Sequence, residues 1–380
     1  MKENKNRVEN SEETVLPVEE NEEKRSKKRI ILLLLLLLIT AFMLSATTYA
    51  WFTSNKTVTV SDINVNVATS GGIQISTDGT TWKSVVTNAD ITGAISKYGA
   101  ATNQIPSTLE PVSTAAASLN ANGYLPMYYG TVVTSESTTN NGQYILTATD
   151  VTTPLDNSAT GQSTTAGTNG KFVVFDLFFK VDAETAGETT KQVYLTTSSD
   201  VIADSNDTGI KNAARVAFVR EGEAANGAAL ADVQALKTST VNNNVFVWEP
   251  NYDVHKATGV SNARDVYGIT TTETGGSALS YSGIIDTIAA SDDILLGQAT
   301  ATKNSSKFAN VTPTLTTVAG WTSGTNYEEF LSLSTNKITK VKVYFWVEGQ
   351  DVDCENNASG GNITLKLQFS LNSTSSTTAP

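Results

Sequence analysis

Cysteine and histidine are almost absent from this chain, which contains one of each, Cys354 and His255, in 380 residues. A single cysteine excludes an intramolecular disulfide, and a chain of this length buries an ordinary core without one. A single histidine excludes a zinc site with two histidine ligands, and any Ser-His-Asp or Cys-His arrangement depends on it. We interpret Cys354 as a buried structural residue and His255, which lies just after Pro250 in a polar segment, as a surface-loop residue.

Several chemical motifs are also missing. The sequence has no G-x-x-x-x-G-K-[ST] phosphate loop, no H-E-x-x-H pair and no dinucleotide fingerprint. Basic residues are fewer than acidic ones, 26 against 38, and the formal net charge is −12. Because an acidic protein repels nucleic acid, no nucleic-acid partner is expected. We therefore expect a protein that is not an enzyme and that needs no cofactor, with calcium the one ion that the acidic residues leave open.

The longest apolar run, Ile30–Leu44, follows a basic cluster and precedes the small residues 45–50. A positive flank, an apolar segment and a small-residue end are typical of an export signal. Thr48 and Ala50 occupy the −3 and −1 positions of a cleavage site before Trp51. The sequence therefore predicts a secreted or cell-surface protein.

Three segments follow from this signal. Residues 1–29 hold eight Lys or Arg and eight Glu with almost no apolar side chains, which predicts a disordered cytoplasmic leader. Residues 30–50 are either a cleaved signal peptide or an uncleaved membrane helix, because 21 residues span about 31 Å as a helix. Membrane contact is limited to this segment, before its cleavage, and residues 51–380 are predicted to form the extracellular domain.

Beyond residue 50 the sequence is dominated by strand patterns. Val58 and Val60, then Ile63 and Val65, alternate with polar residues, and the change of phase predicts a β-bulge at 61–62. The same alternation marks further strands at 171–181, 192–196, 213–220, 244–248, 341–348 and 363–371. Irregular connections without long interleaved helices favour an all-β fold, an antiparallel β-sandwich.

Details of this sandwich can also be predicted. Leu367 and Phe369 are expected to face the core, and 171–181 to be a central strand because both of its faces carry apolar residues. Two stretches with helical spacing are predicted as connecting helices, 224–238 and 327–333. Ser/Thr/Gly-rich stretches are predicted as long solvated loops, with residues 124–129 anchoring the first two to the core; they are 100–122, 134–170 and 259–282.

Acidic residues offer two candidate calcium-binding sites. Asp351, Asp353 and Glu355 alternate along a loop, which suits the oxygen coordination that calcium prefers. Residues 204–207, Asp-Ser-Asn-Asp, offer a second set of spaced oxygens. The alternative for both is a solvated turn.

The tryptophans offer a candidate carbohydrate-binding surface. Flat aromatic rings either stack on sugars or pack in a core, and both interpretations stay open for Trp51, Trp82, Trp248, Trp321 and Trp346. Trp346 lies on the strand face opposite Val343 and Phe345, and it is the best candidate for exposure.

Both ends of the chain resemble one protein family. Residues 48–53, Thr-Tyr-Ala-Trp-Phe-Thr, end the apolar segment as signals end in the TasA and camelysin group of Gram-positive secreted surface proteins. Residues 361–370 look like the late strand of that group, and residues 343–351 resemble a segment of clostridial relatives with SipW-type signals. The resemblance covers the signal region and scattered strands, and does not extend to the loops.

The resemblance implies a jelly-roll-like β-sandwich and cleavage by an ER-type signal peptidase. It also implies a fibre or matrix subunit that assembles by strand donation with copies of itself or a related subunit. Camelysin is described as a metal-dependent protease, but a zinc site in this chain would need carboxylates almost alone, so the resemblance is not extended to that activity.

We therefore predict a secreted structural protein, a subunit of an extracellular matrix or biofilm. The donated segment is predicted to be the start of the mature chain, because it contains no proline and its apolar residues Val58, Val60, Ile63 and Val65 suit pockets in a neighbour. The alternative is that this segment is the first strand of its own sandwich. The alternative function is an adhesin that binds glycans or host surfaces through the Ser/Thr-rich loops.

Overall fold

The structure is a computed structural model that describes residues 57–67, 72–98, 101, 103–154, 170–204, 208–265, 279, 281–296, 304–316, 328–354 and 360–371. The chain divides into two compact units, residues 1–47 and 48–380, and every described residue belongs to the second. The predicted leader and the apolar segment 30–50 lie outside the described residues. Within the described ranges no helix has the length and apolar character needed to cross a membrane.

The described part of the chain consists mostly of β-strands with few helices. In chain order the strands are β1 (Val58–Val67), β2 (Gln74–Ser76), β3 (Val85–Val86), β4 (Thr108–Leu109), β5 (Tyr128–Thr134), β6 (Tyr144–Asp150), β7 (Val173–Val181), β8 (Thr190–Leu195), β9 (Asp200–Ala203), β10 (Ala214–Ala225), β11 (Val245–Glu249), β12 (Ser282–Ile284), β13 (Phe308–Asn310), β14 (Leu315–Thr316), β15 (Glu328–Ser334), β16 (Lys337–Val347) and β17 (Asn362–Ser370). The helices are α1 (Asn88–Gly93), α2 (Leu230–Gln234) and α3 (Ala257–Asp265), with 3-10 turns at Ala94–Ser96, Ile210–Ala213 and Ala290–Asp292.

These strands form two large sheets and two small ones. The seven-stranded sheet has the order β15-β8-β17-β1-β3, with β4 paired to β1 and β9 to β17. The six-stranded sheet has the order β14-β11-β10-β16-β7-β2, and β5–β6 and β12–β13 are separate pairs. The prediction of an all-antiparallel arrangement is wrong for β1–β17 and β11–β14, which are parallel. Parallel strands need a long connection, and nearly the whole domain separates β1 from β17.

The main core lies between the two large sheets. One face of β7 and one face of β17 pack together there, and the rings of Phe179 and Phe369 meet edge to face with centroids 5.2 Å apart. Leu367 and Phe369 are fully buried, which confirms the prediction made from their alternation.

The six-stranded sheet is covered on its other face as well. Val174 of β7 and Tyr344 of β16 lie in a second apolar cluster, which Leu125 and Met127 complete. The predictions that 171–181 is a central strand and that 124–129 is anchored to the core are therefore confirmed. Strands of this kind read as nearly continuous apolar runs because neither face meets water.

Several predictions about connections are wrong in whole or in part. Residues 103–115 of the first Ser/Thr-rich stretch are largely buried, since Gln104 pairs with Val174 through the backbone and donates from Nε2 to the Phe172 carbonyl oxygen at 2.7 Å. Residues 328–334 form a strand, β15, instead of a helix, because β8 supplies a pairing partner. The predicted helix at 224–238 shrinks to the five residues of α2.

Candidate functional site

Strand β1 occupies an interior position of the seven-stranded sheet. It pairs with β17 on one side, in parallel, over eight register pairs from Thr59↔Asn362 to Val67↔Phe369. On the other side it pairs antiparallel with β3 and β4. The first described strand of the chain thus completes a sheet whose other members all come later in the sequence.

The predicted bulge positions the side chains of β1. The register of the β1–β17 pair shifts between Val60 and Asp62, and the Asp62 carboxylate accepts hydrogen bonds from the Ile63 N–H at 2.9 Å and the Asn64 amide at 2.7 Å. An extra residue in a strand reverses which side chains face inward. Val58 before the bulge and Ile63 and Val65 after it therefore all reach the main core.

The four residues predicted for strand assembly share one environment. Val58, Ile63 and Val65 are buried, and Val60 is half-buried against the same cluster. In this chain the four side chains fill apolar space in their own domain. This arrangement agrees with the alternative interpretation, in which the segment is the first strand of its own sandwich. The predicted cleavage residues Thr48, Ala50 and Trp51 lie outside the described residues.

A second candidate site lies in the turn after β16, whose sequence left open either a calcium site or a solvated turn. Arg215 at the start of β10 is fully buried there, with its Nη2 atom 2.5 Å from an Asp351 oxygen and 2.5 Å from a Glu249 oxygen. The turn is fixed by its own hydrogen bonds, because the Asp353 N–H donates to Asp351 Oδ1 at 2.7 Å. Burial raises the pKa of Glu249 to about 7 although the guanidinium acts in the opposite direction.

His255 belongs to the same cluster, so its interpretation as a surface residue is wrong. Its Nδ1 atom lies 3.0 Å from Asp353 Oδ2, and its side chain is 0% exposed. The Lys256 N–H donates to the other Asp353 oxygen at 2.7 Å, so Asp353 holds the loop after Pro250 against the turn. Burial lowers the pKa of His255, but the hydrogen bond with Asp353 and the negative charges of Asp351 and Asp353 together outweigh burial, and the net pKa is raised.

Asp351 and Asp353 already have basic side chains of the protein, Arg215 and His255, as partners. Ligand atoms of His255, Asp351 and Asp353 lie within 4.8 Å of one another, a spacing that suits a metal ion. Asp351 is already paired with Arg215, so an ion that used Asp351 would have to displace a guanidinium. Glu355 lies outside the described residues, as does most of 204–207. Within the described residues the cluster functions as a buried ionic junction between β10, β11 and the turn after β16.

Sequence reasoning missed Arg215 and Glu249, although one signal was present. A lone arginine in the apolar stretch 213–219 has to find a buried anion, since β10 is central in its sheet. The position of that anion depends on tertiary structure, which strand periodicity does not contain.

The tryptophans do not form an exposed platform in the described part of the chain. Trp346 is 0% exposed and its indole N–H donates to Glu348 Oε2 at 3.1 Å, so the expectation that it is exposed is wrong. Trp248 is also buried, and Trp82 is half-buried. Trp51 and Trp321 lie outside the described residues.

Comparisons with known proteins do not add an identification. No protein-family model, no curated protein and no solved structure matches this chain.

Proposed function

We propose that this chain is the precursor of a secreted structural protein. Its exported domain, a jelly-roll-like β-sandwich, polymerises into extracellular matrix or biofilm fibres by donating β1 to a neighbouring copy. The observation that carries the proposal is the place of β1, an N-terminal strand that fills an interior position of the sheet. An ER-type signal peptidase, as the resemblance implies, releases this strand from residues 30–50.

Exchange of β1 between copies preserves nearly all of its contacts. Its partners β17, β3 and β4 come from the rest of the domain, so a β1 from a neighbour makes the same hydrogen bonds and buries the same side chains. A domain without β1 exposes the edges of β17 and β3, and an unpaired edge attracts a strand. Each copy then gives one strand and takes one, which produces an open chain of subunits.

The adhesin alternative has less support. It depended on surface aromatic rings and solvated Ser/Thr-rich loops. Trp248 and Trp346 are buried, and so is most of 103–115.

Processing provides the first test. The exported protein is expected to begin at Trp51, because the small-residue run ends at Ala50. N-terminal sequencing of protein recovered from the culture medium measures this directly. Recovery of a membrane-bound protein that begins at Met1 would show instead that residues 30–50 are a permanent anchor.

Strand donation is tested by a disulfide placed across the β1–β17 pair. Asn64 and Lys366 are register partners, and both side chains lie on the face away from the core. The Asn64→Cys/Lys366→Cys protein is polymerised under reducing conditions and then oxidised. Donation is expected to give filaments in the electron microscope and a ladder of covalently linked chains on a non-reducing gel, since each bond joins two subunits.

A matched control uses Ser61→Cys/Lys366→Cys. Ser61 lies at the bulge without a register partner, so this pair is too far apart to form a bond within β1–β17 in either arrangement. If the Asn64/Lys366 variant gives filaments but only single chains on the gel, β1 stays in its own domain and donation is wrong. If the mature protein stays monodisperse at all concentrations, the fibre function itself is wrong.

A further inference from the structure

Three neighbouring strands of the six-stranded sheet place buried ionisable side chains on the face opposite the main core, and three of these side chains are central to the cluster. These are Asp176 on β7, Lys342 on β16 and Glu221 on β10. None is more than 4% exposed. Removing a charged group from water costs free energy, and charged side chains ordinarily lie at the surface. Three such groups buried at one place therefore need an explanation.

The lysine and the aspartate are held in contact. Lys342 and Asp176 are direct register partners, and Lys342 Nζ lies 2.6 Å from Asp176 Oδ1. The other carboxylate oxygen accepts a hydrogen bond from the Tyr98 hydroxyl at 2.6 Å and lies 3.4 Å from Lys340 Nζ. The two oxygens are therefore distinguished: Oδ1 faces the amine and Oδ2 faces donors that stabilise negative charge.

Glu221 differs from an ordinary member of an ion-pair network. The β10–β16 register shifts between Arg220 and Gly222, so Glu221 is the bulged residue, and its carboxylate interacts electrostatically with Lys342 and Lys340. Its Oε2 atom accepts from the Thr238 N–H at 3.0 Å, and Oε1 has no hydrogen-bond partner among the described atoms. Burial raises the pKa of Glu221 to about 7, so near neutral pH a large fraction carries a proton.

Aromatic rings border the cluster. Lys342 Nζ lies 5.9 Å from the centre of the Tyr124 ring, and Lys340 Nζ lies 5.9 Å from the centre of the Phe178 ring. Burial disfavours both charges, yet the two lysines hold the pKa of Asp176 below its usual value, and Asp176 and Glu221 raise the pKa of Lys342, so the ion pair is the resting state. A proton can pass between them along the 2.6 Å hydrogen bond.

We propose that Lys342 and Asp176 join in an intramolecular amide bond, with Glu221 as the proton-transfer group. After the proton passes from the ammonium to the carboxylate, Nζ attacks Cγ of Asp176 and a C–N bond forms. Glu221 takes a proton from the attacking nitrogen and returns one to Oδ1, whose C–O bond breaks to release water. Ammonium and carboxylate thus give amide and water, with no oxidant and no cofactor.

Other residues of the cluster have positioning roles in this step. The Tyr98 hydroxyl and the Lys340 ammonium stabilise the negative charge that develops on Oδ2 in the tetrahedral intermediate. The fold holds the Lys342 amine within hydrogen-bond distance of the Asp176 carboxylate, so the reaction does not have to meet the entropy cost of bringing the two groups together. The product removes two buried charges, so the cost of burying the pair disappears once the bond has formed.

The experiment is an intact-mass measurement of the denatured full chain, followed by peptide mapping. The wild-type protein is expected to weigh less than its sequence by one molecule of water. Trypsin is expected to leave the bond after Lys342 uncut and to yield one branched peptide that contains Asp176. Lys342→Arg and Glu221→Gln are expected to show no loss of water when their measured masses are compared with the masses calculated for chains that begin at the same residue.

Lys337→Arg is the matched control, since it changes a lysine of the same strand whose Nζ pairs with Glu223 and which has no role in the proposed step. It is expected to retain the loss of water and the branched peptide. A folded wild-type chain with its full sequence mass and free Lys342 overturns the proposal, and so does a branched peptide that contains Lys340 instead. The wild-type map decides the matter even if a variant fails to fold.

Discussion

Replacing Arg215 by methionine is expected to lower the free energy of unfolding by about 3–5 kcal/mol, because it leaves buried acidic groups without their cation. Arg215 is 0% exposed, and its Nη2 atom contacts both Asp351 and Glu249. Part of the Glu249 population can take up a proton, since burial raises its pKa to about 7. Most of the loss is therefore expected from Asp351. Chemical denaturation followed by tryptophan fluorescence measures the change.

Two variants make this result specific. Arg220→Met removes a half-exposed arginine that pairs with Glu223 at 2.8 Å, and it is expected to cost less than about 1 kcal/mol. Asp351→Asn added to Arg215→Met removes the unpaired charge and is expected to restore part of the lost stability. If Arg215→Met and Arg220→Met cost the same small amount, the buried junction does not stabilise the fold.

Replacing Phe369 by alanine is expected to cost roughly 3–5 kcal/mol, because it opens a cavity in the main core. The Phe369 ring packs edge to face on Phe179 at 5.2 Å and on Phe218 at 6.1 Å, and the residue is 0% exposed. Its neighbour provides the comparison. Gln368→Ala loses one hydrogen bond, from the Thr196 hydroxyl at 2.6 Å, and is expected to cost about 1 kcal/mol. Equal melting temperatures for the two variants would contradict the assignment of Phe369 to the core.

Strand periodicity predicted the individual strands better than their surroundings. The alternation in 363–371 gave the correct buried face, and the change of phase in 58–65 gave the bulge. Alternation identifies two faces but does not say whether each one meets water. Trp346 lies on the second face of β16, which the segment around Met127 covers, so the ring is buried.

The polar sites were harder to predict for a related reason. His255 and Asp353 are far apart in the sequence, and their contact at 3.0 Å exists only because the loop after Pro250 packs on the turn after β16. Both segments are rich in polar residues, and this composition predicted that they are exposed to solvent. A polar residue is also stable inside when a partner satisfies it, and the sequence does not show that partner. The parallel pairing of β1 with β17 was missed in the same way, because direction is a property of the pair.

That parallel pairing has a mechanical consequence. The chain enters β1 and β17 at the same end of the pair, so the start of β1 and the end of β17 lie at opposite ends of eight register pairs. A pull on these two points loads the hydrogen bonds of the pair in shear, all at once, whereas a pull on adjacent ends would unzip them one at a time. The joint therefore resists tension along the strands far better than tension across them, whichever subunit supplies β1.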